Sequence, residues 1–63
     1  SSDLLAHFHC ELAEQLREQG DLDGARNRLK QAQRHDRDCP RIGLLLAEIE
    51  LDAGRPDAAR RAA

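Results

Sequence analysis

The residues with the most reactive side chains fall in two short clusters. His7 and Cys10 stand three apart with His9 between them, and His35 and Cys39 stand four apart. Imidazole nitrogens and thiolates are the donors that hold a tetrahedral zinc ion, so this spacing raises metal chemistry first. Helix geometry argues against it. On a helix His9 points about 100° away from Cys10, and the three donors of the first cluster do not converge. The plainer reading makes Cys10 a small buried hydrophobe and the histidines edge residues, with no metal and no other cofactor. A Cys10–Cys39 disulfide is disfavoured if the protein is cytoplasmic. Catalysis finds little support either. The chain has no Ser/His/Asp set on a suitable turn, no glycine-rich phosphate loop and no Tyr. Its carboxylates are scattered at helix-surface spacings, without a pocket to shift their pKa values. We read no catalytic residue here.

The charged residues are segregated. Residues 1–24 carry Asp3, Glu11, Glu14, Glu18, Asp21 and Asp23 against Arg17 alone, whereas residues 25–41 carry Arg26, Arg28, Lys30, Arg34, Arg37 and Arg41 against Asp36 and Asp38. Glu11, Glu14 and Glu18 fall along one side of a first helix, and Arg26, Lys30, Arg34 and Arg37 along one side of a second. The bland expectation is two solvated faces that attract each other across a hairpin. The functional one is that a stripe docks a charged partner. Nucleic acid is a poor candidate for that partner. The net charge is −2 and Phe8 is the sole aromatic residue, which leaves no stacking platform. Direct membrane contact is not expected either. The longest apolar run, Leu44 to Ala47, is far short of the ~20 residues a span needs.

These residues must be positioned by helices. β-branched residues are nearly absent and no segment alternates with period two, so the chain reads as all-α. Gly20-Asp21, Asp36 to Pro40 and Gly54-Arg55-Pro56 are the breaks. A first helix is predicted over about 4–19, with Leu5, Phe8, Leu12 and Leu16 as an apolar stripe that Ala6, Cys10 and Ala13 widen. Ser2 or Asp3 would cap it, and Gly20 would take the left-handed position after it. A second helix, about 22–35, follows an Asp21 N-cap and carries Leu22, Ala25, Leu29 and Ala32. A third, about 40–53, starts at Pro40, where a missing N–H costs nothing. It is apolar through Ile42, Leu45, Leu46, Ile49 and Ala53, with Leu44 and Leu51 beside the stripe. A fourth starts at Pro56. The last residues, Ala58 to Ala63, contain no stop signal, so the chain reads as a piece of a larger protein.

A shift of 34 residues aligns Leu12-Ala13-Glu14 with Leu46-Ala47-Glu48, Gly20 with Gly54, Asp23 with Asp57, and Ala25-Arg26 with Ala59-Arg60. It also sets Phe8 against Ile42. This period and the placement of small residues resemble a tetratricopeptide repeat. The resemblance implies antiparallel helix hairpins in an α-solenoid. One hairpin covers 4–36, and a second, truncated one covers 40–63, about one and a half to two repeats in a single unit. Ala13 and Ala25 would lie at the helix crossing, where bulk would push the axes apart. The sequence departs from the pattern at His9, where the family prefers an aromatic, and at Arg37, where it closes with Pro. Glu50 stands where the first repeat has Leu16, so either the second repeat packs less regularly or the Glu50 stem reaches out to water. One and a half repeats bury too little for a secure core. Self-association through the exposed face of the third and fourth helices is therefore expected.

The run Ala6-His7-Phe8-His9-Cys10-Glu11-Leu12-Ala13, with Asp21-Leu22-Asp23-Gly24-Ala25 and the spacing to Arg41-Ile42, resembles the bacterial lipopolysaccharide assembly protein B family. That resemblance implies a parent protein anchored in the bacterial inner membrane, with this segment on the cytoplasmic side. It implies a non-catalytic scaffold and, as partner, the membrane protease that degrades a deacetylase of lipopolysaccharide synthesis. Members have also been labelled N-acetylglucosaminyl transferases. The alternatives are a recruiting arm for such an enzyme, with catalysis elsewhere, and a purely structural spacer between domains. In tetratricopeptide arrays the first helix of each pair lines the concave groove. By that resemblance His7, Cys10, Glu14, Arg17 and Glu18, with Arg41, Leu44, Glu48, Leu51 and Asp52, would face a protein partner.

Overall fold

The structure, a computed structural model, describes residues 2–54, which form three helices: α1 (Ser2–Glu18), α2 (Leu22–His35) and α3 (Pro40–Gly54). The predicted fourth helix lies outside the described residues. Helix α1 opens two residues earlier than the spacing predicts. Ser2 and Asp3 are therefore already helical, and Asp3 sits in the first turn, where the helix dipole favours a carboxylate.

The α1–α2 turn is tightly determined. Gly20 has φ +86°, a conformation that excludes most side chains. It donates its N–H to the Arg17 carbonyl at 3.0 Å, and Asp21 donates to the Leu16 carbonyl at 2.9 Å. These two bonds make a Schellman motif, which satisfies carbonyls that the end of α1 would otherwise orphan. Asp21 then starts the next helix. Its carboxylate accepts from the Gly24 N–H at 2.9 Å and its carbonyl from the Ala25 N–H at 3.0 Å. Three residues thus end one helix, cap another and reverse the chain.

The core lies where the three helices meet. Helix α1 contributes Ala6, Cys10 and Ala13; α2 contributes Ala25, Leu29 and Ala32; Cys39 and then Ile42, Leu45 and Ile49 of α3 complete it. Leu16, Leu22 and Leu46 pack at its edge. The buried side of α1 is therefore its small-residue side. Of the stripe predicted to carry it, Leu16 packs at the edge of the core and the small residues expected to widen it are enclosed, but Leu5 and Phe8 are turned away, 46% and 55% exposed. The reason is geometric. Alanine and cysteine let α2 approach closely enough for Leu29 to be enclosed completely, which a Phe8 side chain in the seam would prevent.

Candidate functional site

Helices α1 and α3 run side by side, and their polar edges are joined by two arginines. Arg17 of α1 grips Asp52 with Nε at 2.6 Å and Nη2 at 3.3 Å, and its Nη1 holds Glu48. Arg41 of α3 reaches back the other way, with Nη2 at 2.8 Å from Glu11 and 3.0 Å from Glu14. A guanidinium suits such sites because its fork offers several donors in one plane. Both arginines have pKa values raised above the ordinary range. Arg17 is raised first by its hydrogen bond to Asp52, and Arg41 by its bonds to Glu11 and then Glu14.

Beside this network lies a hollow of about 340 Å³, lined by Glu14, Arg17, Glu18, Arg41, Leu44, Leu45 and Glu48. Six of the residues singled out in the sequence thus come together here. His7 is close, its Nδ1 3.4 Å from Arg41 Nη1, and Asp52 joins through Arg17. Leu51 is exposed but does not line the hollow. Cys10 does not reach this surface at all. It is fully enclosed in the core, where burial pushes its thiol pKa up.

Glu11 and Leu45 join the site without having been singled out. The signal for Glu11 was its separation of 30 residues from Arg41, close to the repeat period. The expected attraction across the α1–α2 hairpin is not what the charges do. The acidic stripe of α1 meets Arg41 of α3, because the Ala6–Cys10–Ala13 side is the one turned to α2. Helix α2 sends Arg26 to Asp23 at 2.9 Å and to Glu50 of α3 at 2.7 Å. Glu50 accordingly reaches outward, one of the two outcomes its departure from the Leu16 position implied.

The histidines and cysteines separate. His9 stacks on His35 of α2, with ring centroids 5.5 Å apart and planes 10° from parallel, while Cys10 and Cys39 are free thiols in the core. Among the described residues no group of three or more His, Cys, Asp or Glu could hold a metal ion.

The family pattern of the tetratricopeptide repeat matches residues 16–63. This chain belongs to the tetratricopeptide-repeat family. The helical hairpin, the small residues at its crossing and the 34-residue self-similarity are features of that repeat. Tetratricopeptide repeats are generally non-catalytic modules that mediate protein–protein contacts. No curated protein and no solved structure matched the chain. Among the described residues no helix is long and apolar enough to cross a membrane.

Proposed function

We propose that the chain is a non-catalytic docking module that receives a segment of a partner protein on its α1–α3 face. The observation that carries this reading is the hollow between the helices, where a half-buried charge network surrounds the exposed Leu44 side chain. Leu44 offers apolar area, and the charges fix the orientation of what binds over it. Glu48 and Glu14 there are bound to Arg17 and Arg41, which suits recognition rather than acid–base work.

The resemblance of the Ala6–Ala13 run to the lipopolysaccharide assembly protein B family supports a more specific reading. In it the chain belongs to a regulator anchored in the inner membrane and facing the cytoplasm, and the partner is the membrane protease of that system. Separately, we propose self-association through the exposed face of the third and predicted fourth helices, of which Leu44 and Leu51 on α3 are exposed among the described residues.

A titration of the chain against the purified cytoplasmic portion of such a protease tests the partner. Glu14→Lys with Glu18→Lys should weaken the complex at least tenfold while leaving helix content unchanged. Unchanged affinity would remove the α1–α3 face as the docking site. No binding by either protein would remove the protease, and sedimentation of the chain over a concentration series tests the self-association.

A further inference from the structure

Lys30, Gln33, Arg34 and Arg37 line an open hollow of about 510 Å³ along the second half of α2 and the turn that follows it. It shares no residue with the α1–α3 face. Its cations also differ from the others. Arg17, Arg26 and Arg41 each hold two carboxylates, and Arg28 lies 3.4 Å from His9. Among the described residues, Lys30, Arg34 and Arg37 have no ion-pair partner. The nearby Asp36 turns its carboxylate onto the Asp38 N–H at 3.2 Å.

The helix dipole accounts for Arg34, in the last turn of α2. It does not account for Lys30, a turn further in, or for Arg37, beyond the helix end. Like charges three and four residues apart repel, so three unneutralised cations around one hollow form a surface that a bound anion relieves. Their spacing says what kind of anion. Lys30 and Arg34 are separated by about 6 Å along the axis, four residues at 1.5 Å each. Alternate residues of an extended chain lie about 6.6 Å apart and face the same way. A nucleic-acid strand is the poorer match. Single-strand binders combine their cations with aromatic platforms for the bases, and Phe8, the sole aromatic residue, is on α1 against His9, away from this hollow.

We propose that this hollow is a second docking surface, which takes an extended acidic segment of a partner protein with carboxylates on alternate residues facing Lys30 and Arg34. The proposal does not depend on the α1–α3 reading, and its test uses a different probe. A fluorescent peptide of alternating Glu and Ser is titrated into the full chain at low salt, with amide chemical shifts recorded in parallel. The shifts should centre on Lys30, Gln33, Arg34 and Arg37. The triple variant Lys30→Gln, Arg34→Gln, Arg37→Gln should lose about tenfold in affinity, a few-fold per exposed pair, and Glu14→Lys with Glu18→Lys should not weaken binding. Unchanged affinity in the triple variant would overturn the proposal, as would shifts centred on Arg17 and Arg41. Equal binding of a peptide with the same number of glutamates placed at every third residue, which puts successive carboxylates on opposite faces, would overturn the spacing argument. Tighter binding of an oligouridylate would overturn the choice of partner class.

Discussion

Shifting α1 by 34 residues lays Cys10 on Leu44, Ala13 on Ala47 and Phe8 on Ile42, yet the members of each pair meet opposite environments. Cys10 is fully buried and Leu44 is 60% exposed, whereas Phe8 is 55% exposed and Ile42 only 2%. Ala13 is buried and Ala47 is not. The first helix of this repeat therefore has two contact sides. One takes small residues and faces the helix that follows in the same hairpin. The other takes larger ones and faces the hairpin before it. In α1 the first side is covered by α2; in α3 the second side is covered by α1 and α2. Equivalent residues thus carry unequal energetic weight, and substitutions can expose the inequality.

The largest contrast is between the aligned residues Ile42 and Phe8. Ile42→Ala removes a side chain from the enclosed core and should cost about 2–5 kcal/mol. Phe8→Ala removes a larger side chain from an exposed face and should change stability by no more than about 0.5 kcal/mol. Thermal unfolding followed by circular dichroism reads both. A Phe8→Ala loss that grew with protein concentration would show that a second copy covers that face. A loss independent of concentration would mean that α1 buries a different side.

Next in size is the α1–α2 crossing. Ala25 is fully enclosed in the seam with Ala13, and Ala25→Leu should cost about 1–3 kcal/mol through overpacking. The same change at Ala47, exposed on α3, should be close to neutral. Equal costs at the two alanines would break the two-sided description.

Smaller again is the bridge between α1 and α3. Arg17→Gln releases Glu48 and Asp52 and should cost about 0.5–1 kcal/mol, the scale of partly exposed ion pairs, with the deficit shrinking as salt is added. Hydrogen exchange should show the loss in α3 amides before those of α2. A uniform loss over all three helices would mean that α3 does not open separately from the hairpin.

Much of this architecture is legible in the residues. Gly20 and Asp21 announce the turn because a residue tolerant of positive φ is needed to end α1 there and a short oxygen-bearing side chain such as Asp caps α2 well. Pro40 announces the start of α3 for a similarly local reason. The buried side of α1 is not legible in the same way. Hydrophobicity favours Leu5 and Phe8, and what decides against them is the distance of closest approach of a second helix, which is a property of the pair. The charge pairing is hidden for the same reason. The stripes on α1 and α2 have opposite signs, but the side of α1 bearing Glu11 and Glu14 points toward α3, so Arg41 is their partner. At the candidate site the charged positions could be read from the repeat, and the type of Cys10 already marked it as a small buried hydrophobe; its place among the partner-facing residues fails because that side of α1 meets α2.

The smallest effect expected is a pH dependence confined to the hairpin. His9 is half-buried on α1, stacked on His35, with Arg28 Nη1 3.4 Å from its Nδ1. Burial first, then Arg28 and His35, hold its pKa below the ordinary 6.5. The unfolded chain takes up the proton at that ordinary value, and the folded chain does so only at lower pH. The contribution of His9 to stability is therefore fully present above about pH 6.5 and is lost as pH falls through the lowered value. Tm should decline between pH 7 and pH 5, and His9→Gln should flatten that decline, since glutamine fills part of the site without titrating. The ring-proton shifts of His9 should titrate below those of a histidine in a short peptide. A decline of the same slope in His9→Gln would assign the pH dependence elsewhere and leave the α1–α2 seam indifferent to acid. If the decline flattens, the acid response belongs to α1 and α2, the helices whose small residues draw the two histidines into contact, and α3 takes no part in it.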